Sequence, residues 1–303
     1  PSPMNSAAGM NGAAEALLQN EPAIRLGVFA GVLLLLLLWE AAAPRRPLLH
    51  PRLLRWGNNF ALLAAGTLIT RLAVPVLAVA LANTGEARGW GLFHALSLPF
   101  WLALPLGVIL LDLAIYLQHR LFHAVPWLWR LHRVHHADPD IDASTALRFH
   151  PAEILVSTAF KLALVRLLGP PALAVLIFEV LLNATAMFNH ANIAVPAGLD
   201  RWLRRLIVTP DMHRVHHSRI GTEMNRNFGF NLSLWDRLLG TWQDQPAHGH
   251  LGMAIGLAGF EGGRELWLDR LLLQPLRKVG QSPVGSGASD GARTRDLRRD
   301  RPT

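Results

Sequence analysis

The chain has 303 residues, 51% of them hydrophobic and only 17% charged, with a formal net charge of +8 and no cysteine. The length allows one large domain or two small ones, and so little charge is unusual for a water-soluble protein of this size. Without cysteine there are no disulfides, iron–sulfur clusters or thiolate zinc fingers, so any metal has to be held by His, Asp or Glu. Many of the arginines fall between apolar runs or in the last stretch, which fits the loops of a membrane protein and gives no reason to expect a nucleic-acid partner.

In chain order, residues 1–22 are small and polar and read as a mobile N-terminus. Residues 24–43 form an almost unbroken apolar run, the length needed to cross a bilayer. No basic segment precedes this run and Arg45 and Arg46 follow it, so it is expected to be a retained span and not a signal peptide. Residues 43–59, with Arg45, Arg46, Arg52 and Arg55, read as a short basic loop on the cytoplasmic side. Residues 60–82 are expected to form a second span, interrupted by Arg71 and Pro75, with a loop at 83–90. Residues 96–117 form a third, which returns to the cytoplasmic side.

Further on, residues 137–149 are polar and read as a loop. Residues 152–188 are apolar and broken by Gly169-Pro170-Pro171, which predicts a helical hairpin that spans twice or dips and returns. Residues 193–212, with Arg201, Trp202, Arg204 and Arg205, look like an amphipathic segment at the interface. Residues 228–242 are expected to fold over a site, and 280–303 read as a disordered tail.

The third span runs into the stretch that carries the chemistry. His119 and His123 are followed by His132, His135 and His136, and about eighty residues later His213, His216 and His217 repeat the second pattern. Residues three and four apart share a helical face, so each group aims its imidazoles at one region. Extended backwards, the first stripe also holds Asp112 and Tyr116, the single tyrosine of the chain. Eight imidazoles exceed the needs of one tetrahedral zinc and suit a centre of two borderline metals. His50, His94, His248 and His250 stand alone and read as ordinary core or surface residues.

These motifs, together with Arg148-Phe149-His150-Pro151, Phe188-Asn189-His190-Ala191-Asn192-Ile193 and Pro210-Asp211-Met212, resemble the fatty acid hydroxylase and sterol desaturase superfamily over about residues 100–245. The resemblance implies an all-α polytopic membrane bundle with a cytosolic helical cap carrying a histidine-rich di-metal site. It implies His119, His123, His132, His135, His136, His190, His213, His216 and His217 as ligands of two iron ions, with zinc as the substitute met on purification. Some relatives have a second histidine near position 190, and here there is one. His150 matches a family position and is expected beside the ligands or facing substrate, with Tyr116 also near the centre. Asp112, Asp138 and Asp211 are candidate acceptors for imidazole N–H groups.

The expected organisation is 1–22 N-terminus, 23–92 N-terminal spans, 93–245 catalytic domain, 246–279 C-terminal cap segment and 280–303 tail. The implied activity is O₂-dependent hydroxylation or desaturation of a fatty acyl, sterol or isoprenoid lipid, with carotenoid-type hydroxylation as a substrate variant. The chain carries no Gly-rich dinucleotide fingerprint and no segment like the fused cytochrome b5 domain of some relatives, so an external ferredoxin or cytochrome-type donor is expected. The competing readings are a membrane metal transporter or store, whose ligands would lie near mid-membrane, and a hydrolytic zinc enzyme, whose His-Glu-x-x-His motif is absent.

Overall fold

The computed structural model describes residues 12–278. Its regular elements are helical, and β contacts among the described residues are confined to the isolated bridges Pro44–Ile193, Ile207–Leu232 and Ser218–Ile255. Residues 12–19, part of the stretch read as a mobile N-terminus, are helical; the tail call at 280–303 lies outside the described residues.

The long helices are α1 (Glu21–Ala42), α2 (Arg52–Ala73), α3 (Ala78–Arg88), the single turn α4 (Leu92–Ala95), α5 (Phe100–Ala124), α6 (Pro126–His136), α7 (Pro151–Leu168) and α8 (Ala172–His190). Two shorter ones follow, α9 (Ala197–Leu203) and α10 (Pro210–His216). Among the described residues, four stretches are long and apolar enough to cross a membrane: α1, the α2–α4 run Arg52–Ala95, α5 and α8. Leu34, Leu35 and Leu38 of α1 are each about 60% exposed, as expected for side chains that face lipid.

Prolines mark where the chain turns. A residue before proline is pushed out of the helical region, and proline itself is tolerated in the first turn of the next helix. Val125, at φ −95° and ψ 118°, therefore ends α5, and Pro126 opens α6 immediately. The chain folds back on itself between the first and second histidine groups. Pro151 and Pro210 open α7 and α10 in the same way, behind His150 and Thr209. The expected hairpin forms from α7 and α8, with Gly169 at φ 62° as the left-handed cap of α7. Gly91 lies against this turn so closely that a Cβ there would stand 2.5 Å from the Gly169 nitrogen.

Two packing clusters hold the bundle. One joins α3, α5, α7 and α8 through Ala82, Leu111, Val165, Leu176 and Phe178. The other joins α1 and α8 to a short 3₁₀ turn, Ala143–Leu147, through Leu36, Ala143, Ala146, Met187 and Ile193. The 3₁₀ turn is fixed by a capping box between Asp142 and Thr145.

Two expectations change here. The second span is not one helix over 60–82: α2 already starts at Arg52, breaks at residues 74–77 around Pro75, and α3 continues through the stretch read as a loop at 83–90. The basic loop 43–59 is half helix, and three of its four arginines, Arg45, Arg46 and Arg55, tie it to the segments around the centre. Arg55 is fully buried, with Nε and Nη2 donating to the Asp138 carboxylate at 2.9 and 2.8 Å and Nη1 paired to Asp142. Arg45 donates to Asp211 at 3.0 Å, and Arg46 donates to the carbonyls of His250 and Met253 at 3.0 and 2.8 Å. For Arg55 the physical reason is the buried Asp138 and Asp142, which would be costly to bury without a cation.

Candidate metal centre

All nine histidines expected as ligands come together, in two groups. His119, His123, His132, His136 and His216 form one, and His135, His190, His213 and His217 the other; within each, the ring nitrogens lie within 4.8 Å of one another, and every member is buried. The groups touch: the His136 ring stacks on His217 at a centroid distance of 4.6 Å. The helical spacing seen in the sequence supplies each cluster, and the α5–α6 turn and the return of α8 and α10 bring the clusters into contact.

Hydrogen bonds from the imidazole Nδ1 atoms set the tautomers. His119 Nδ1 donates to the Phe228 carbonyl at 2.8 Å, His216 Nδ1 to the Arg226 carbonyl at 2.8 Å, and His190 Nδ1 to the Ala186 carbonyl at 2.6 Å. A carbonyl only accepts, so the proton of each of these rings is on Nδ1 and the lone pair on Nε2. Yet His216 Nε2 lies 3.0 Å from His119 Nε2, with no proton available between them. His119 also meets His132 Nε2 at 3.1 Å, and His190 Nε2 meets His135 and His213 at 3.0 and 3.1 Å. Converging lone pairs repel unless a cation lies among them. In addition, both ring nitrogens of His123, His136 and His217 are buried without a protein partner.

The electrostatics agree. Burial pushes His135, His136, His213, His216 and His217 well below the usual imidazole pKa, with neighbouring imidazoles adding to the effect, and takes His132 to about 3. Neutral imidazole is the form that binds metal. The donor set, nitrogen only and split five and four, fits two ions of the iron or zinc type.

The expected carboxylate acceptors are elsewhere. Asp112 accepts from Trp235 Nε1 at 2.8 Å and from the Leu232 amide, and no imidazole reaches it. Asp138 serves Arg55; against the upward push of burial, Arg55 and Arg148 hold its pKa below the usual carboxylate value. Asp211 pairs with Arg45 and Arg214, 3.6 Å from His250, which is in neither metal group. The Tyr116 hydroxyl bonds Thr241 Oγ1 at 2.7 Å, and its ring meets Phe228 edge-on. His150 caps α7 through the Ala152 amide and bonds the Leu272 carbonyl, outside both groups. These residues support the segments around the centre. The carboxyl that does meet a clustered imidazole is Glu153, whose Oε1 accepts from His132 Nδ1 at 2.6 Å. It went unread in the sequence, although an acid at the start of an apolar helix signals a buried partner.

Residues 226–243 cover the centre from one side. Phe228 packs within 5.4 Å of the His119 and His216 rings. The C-terminal segment closes another side, where Arg133 Nη2 donates to the Arg277 carbonyl at 2.6 Å. Toward the bundle, the centre opens on a cavity of about 320 Å³ lined by His119, His132, Phe122, Phe149, Leu147, Ile154 and residues of α1, α2 and α8.

Comparison with known proteins agrees with this geometry. The fatty acid hydroxylase family matches residues 104–241. Ornithine lipid hydroxylase OlsE of Rhizobium tropici is 34% identical over 152 residues, 49% of this chain and 44% of that protein. Alkylglycerol monooxygenase of Danio rerio is 32% identical over 193 residues, 61% of this chain and 40% of that protein. Cholesterol 25-hydroxylase of Rattus norvegicus is 30% identical over 145 residues, 46% of each. The chain thus spans less than half the length of these curated relatives, and no solved structure matches it. The matched stretch, a little under half of the chain, contains all nine clustered histidines, and it is to the fatty acid hydroxylase superfamily that this region is similar.

Proposed function

We propose that the protein is a membrane lipid oxygenase that uses two iron ions, held by the five-histidine and four-histidine groups, to oxidise a C–H bond of a lipid chain with O₂. The observation that carries this reading is the junction of the five-histidine group, through His119 and His132, with a largely apolar cavity between membrane helices. A hydrolase works on a polar bond near water, and a transporter needs a path across the membrane. A dry pocket that ends at a metal centre suits an unactivated carbon instead. That relatives are named as hydroxylases of ornithine lipid and cholesterol and as a monooxygenase of alkylglycerol supports a lipid substrate.

The bound ions would supply O₂ reduction. In the hydroxylation version, one oxygen atom enters the C–H bond and the other leaves as water, with two electrons from an external one-electron carrier and two protons from solvent. The protein's own contribution is position and dryness. On α7, Glu153 to Lys161 spans eight residues, about 12 Å at 1.5 Å per residue. Both line the cavity, so it runs that far from the centre into the bundle. Its deep end lies beside an ion-paired trio, where Glu179 joins Lys161 of α7 to Arg25 of α1 at 2.5 Å from the arginine. Paired charges at such depth cost less than single ones and stop the chain of a lipid at a set depth. We place the centre on the cytoplasmic side, where reduced carriers are found; the arginines between α1 and the start of α2 support this orientation.

The test is elemental analysis of the detergent-purified chain, together with mass spectrometry of lipids from expressing cells grown with and without oxygen. The expected result is close to two irons per chain and an O₂-dependent gain of one oxygen atom, or loss of two hydrogens, in one lipid class. One metal or none with an unchanged lipid profile would refute the reading.

A further inference from the structure

One polar group in the cavity is left over. Gln118 of α5 is 7% exposed and lines the cavity next to His119. Its Nε2 donates to Ser157 Oγ, while its Oε1 is buried with no hydrogen-bond partner. Ser157 lies four residues, about 6 Å, along the helix beyond Glu153, the residue that holds His132, and Gln118 directly precedes His119, so the pair stands beside the imidazole shell. The cavity also holds the donors Thr67, Thr158, Lys161 and Asn183, but none of them hydrogen-bonds Gln118 Oε1, and its remaining walls, such as Phe122, Phe149 and Ile154, are apolar. A buried amide oxygen left unpaired is costly, and a ligand that enters this cavity with a donor would supply the missing partner.

We propose that Gln118 is a specificity-determining residue whose Oε1 accepts a hydrogen bond from an N–H or O–H group of the substrate. The substrate is then a lipid with a hydrogen-bond donor, such as an amide linkage or a hydroxyl, a few carbons from the carbon oxidised. A plain ester or hydrocarbon chain leaves Gln118 unpaired and is bound less well. Ser157 is a positioning residue that holds the amide edge toward the cavity. This inference rests on the lipid-oxidation reading.

The test is equilibrium binding, followed by native mass spectrometry, of two matched probes to the full chain loaded with metal in detergent. The probes are N-methylhexadecanamide and methyl hexadecanoate, which differ at the linkage by one donor N–H. The wild-type chain is expected to hold the amide about tenfold more tightly, the effect of one buried neutral hydrogen bond. Gln118→Leu should keep its metal and bind the two probes equally. Ser157→Ala, a milder change, should narrow the preference. Equal binding of both probes by the wild type, or a preference retained in Gln118→Leu, would overturn the inference while leaving lipid oxidation standing. Binding of neither probe to the wild type would overturn the inference, and lipid oxidation itself would stand or fall on the metal and lipid analysis above.

Discussion

Replacing Glu153 tests whether the histidines act as ligands, independently of turnover. Glu153 and His132 are 4% and 2% exposed, and their contact is 2.6 Å. The carboxyl fixes the proton on His132 Nδ1, turns Nε2 toward His119 and makes the ring a stronger donor to a cation. Burial pushes the Glu153 carboxyl pKa up to about 8, and a cation on His132 would favour its charged form; Glu153→Gln keeps the volume and an acceptor oxygen but removes that carboxylate. A hydrogen bond involving a charged group contributes roughly 1.5–3 kcal/mol, and comparable changes behind a ligating histidine weaken metal binding about 10–100-fold. The assay is metal retained by the purified chain across a chelator series, read by elemental analysis, with thermal unfolding of each sample alongside. The chelator midpoint should fall by one to two decades, and the metal-dependent rise in Tm should shrink. The metal-free Tm should change little. An unchanged midpoint in Glu153→Gln would refute the argument that Glu153 supports a ligand.

Three further outcomes are expected. His216→Ala and His135→Ala each remove a ligand from a different group, so each should lower bound metal toward one ion per chain by elemental analysis; two retained ions would reject the two-group assignment. Asp138→Asn leaves the buried Arg55 short of one partner and should cost about 3–5 kcal/mol of stability. Because the folded pKa of Asp138 is depressed, its contribution is present above the unfolded value near 4 and is lost as pH falls through the lower folded value. The gap in denaturation midpoint between wild type and variant should therefore close in acid, and a constant gap would refute the assignment. Thr158→Phe places a ring in the cavity partway between Glu153 and Lys161 and should reduce binding of long-chain lipid with full metal content retained; unchanged binding would move the substrate elsewhere.

The parts of this molecule that are local in sequence were legible in it. The i, i+3, i+4 histidine spacing needs only a helix to become a cluster, and Gly169-Pro170-Pro171 announces the turn that returns α8 to them, while the turn at Val125-Pro126 was seen only in the fold. What escaped was pairing across the fold. Asp112, Asp138 and Asp211 lie close in sequence to ligating histidines, yet Asp112 is bound by Trp235, 123 positions away, and Asp138 by Arg55, 83 positions away. The arginines after α1 looked like loop charges because charge pattern alone does not show which cation an aspartate will require. Glu153 was hidden for the opposite reason: it sits in an apolar helix with no histidine near it but His150, which faces another way.

The acceptors that set the imidazole tautomers were illegible for a deeper reason, since they are backbone atoms. Arg226 and Phe228 offer their carbonyls to His216 and His119, which lie in different sequence clusters. The residue between them, Asn227, takes φ 52°, in the left-handed region that few side chains other than Asn and Asp tolerate. Its side chain is tied at both ends, Nδ2 donating to the Met212 and Gln243 carbonyls and Oδ1 accepting from the Gln243 amide. Met212 precedes His213, so one asparagine links the third histidine cluster to the segment that orients the first. The centre therefore depends on the covering segment as much as on the spans. The helices bring the rings together, and the segment after them decides which nitrogen His119 and His216 present.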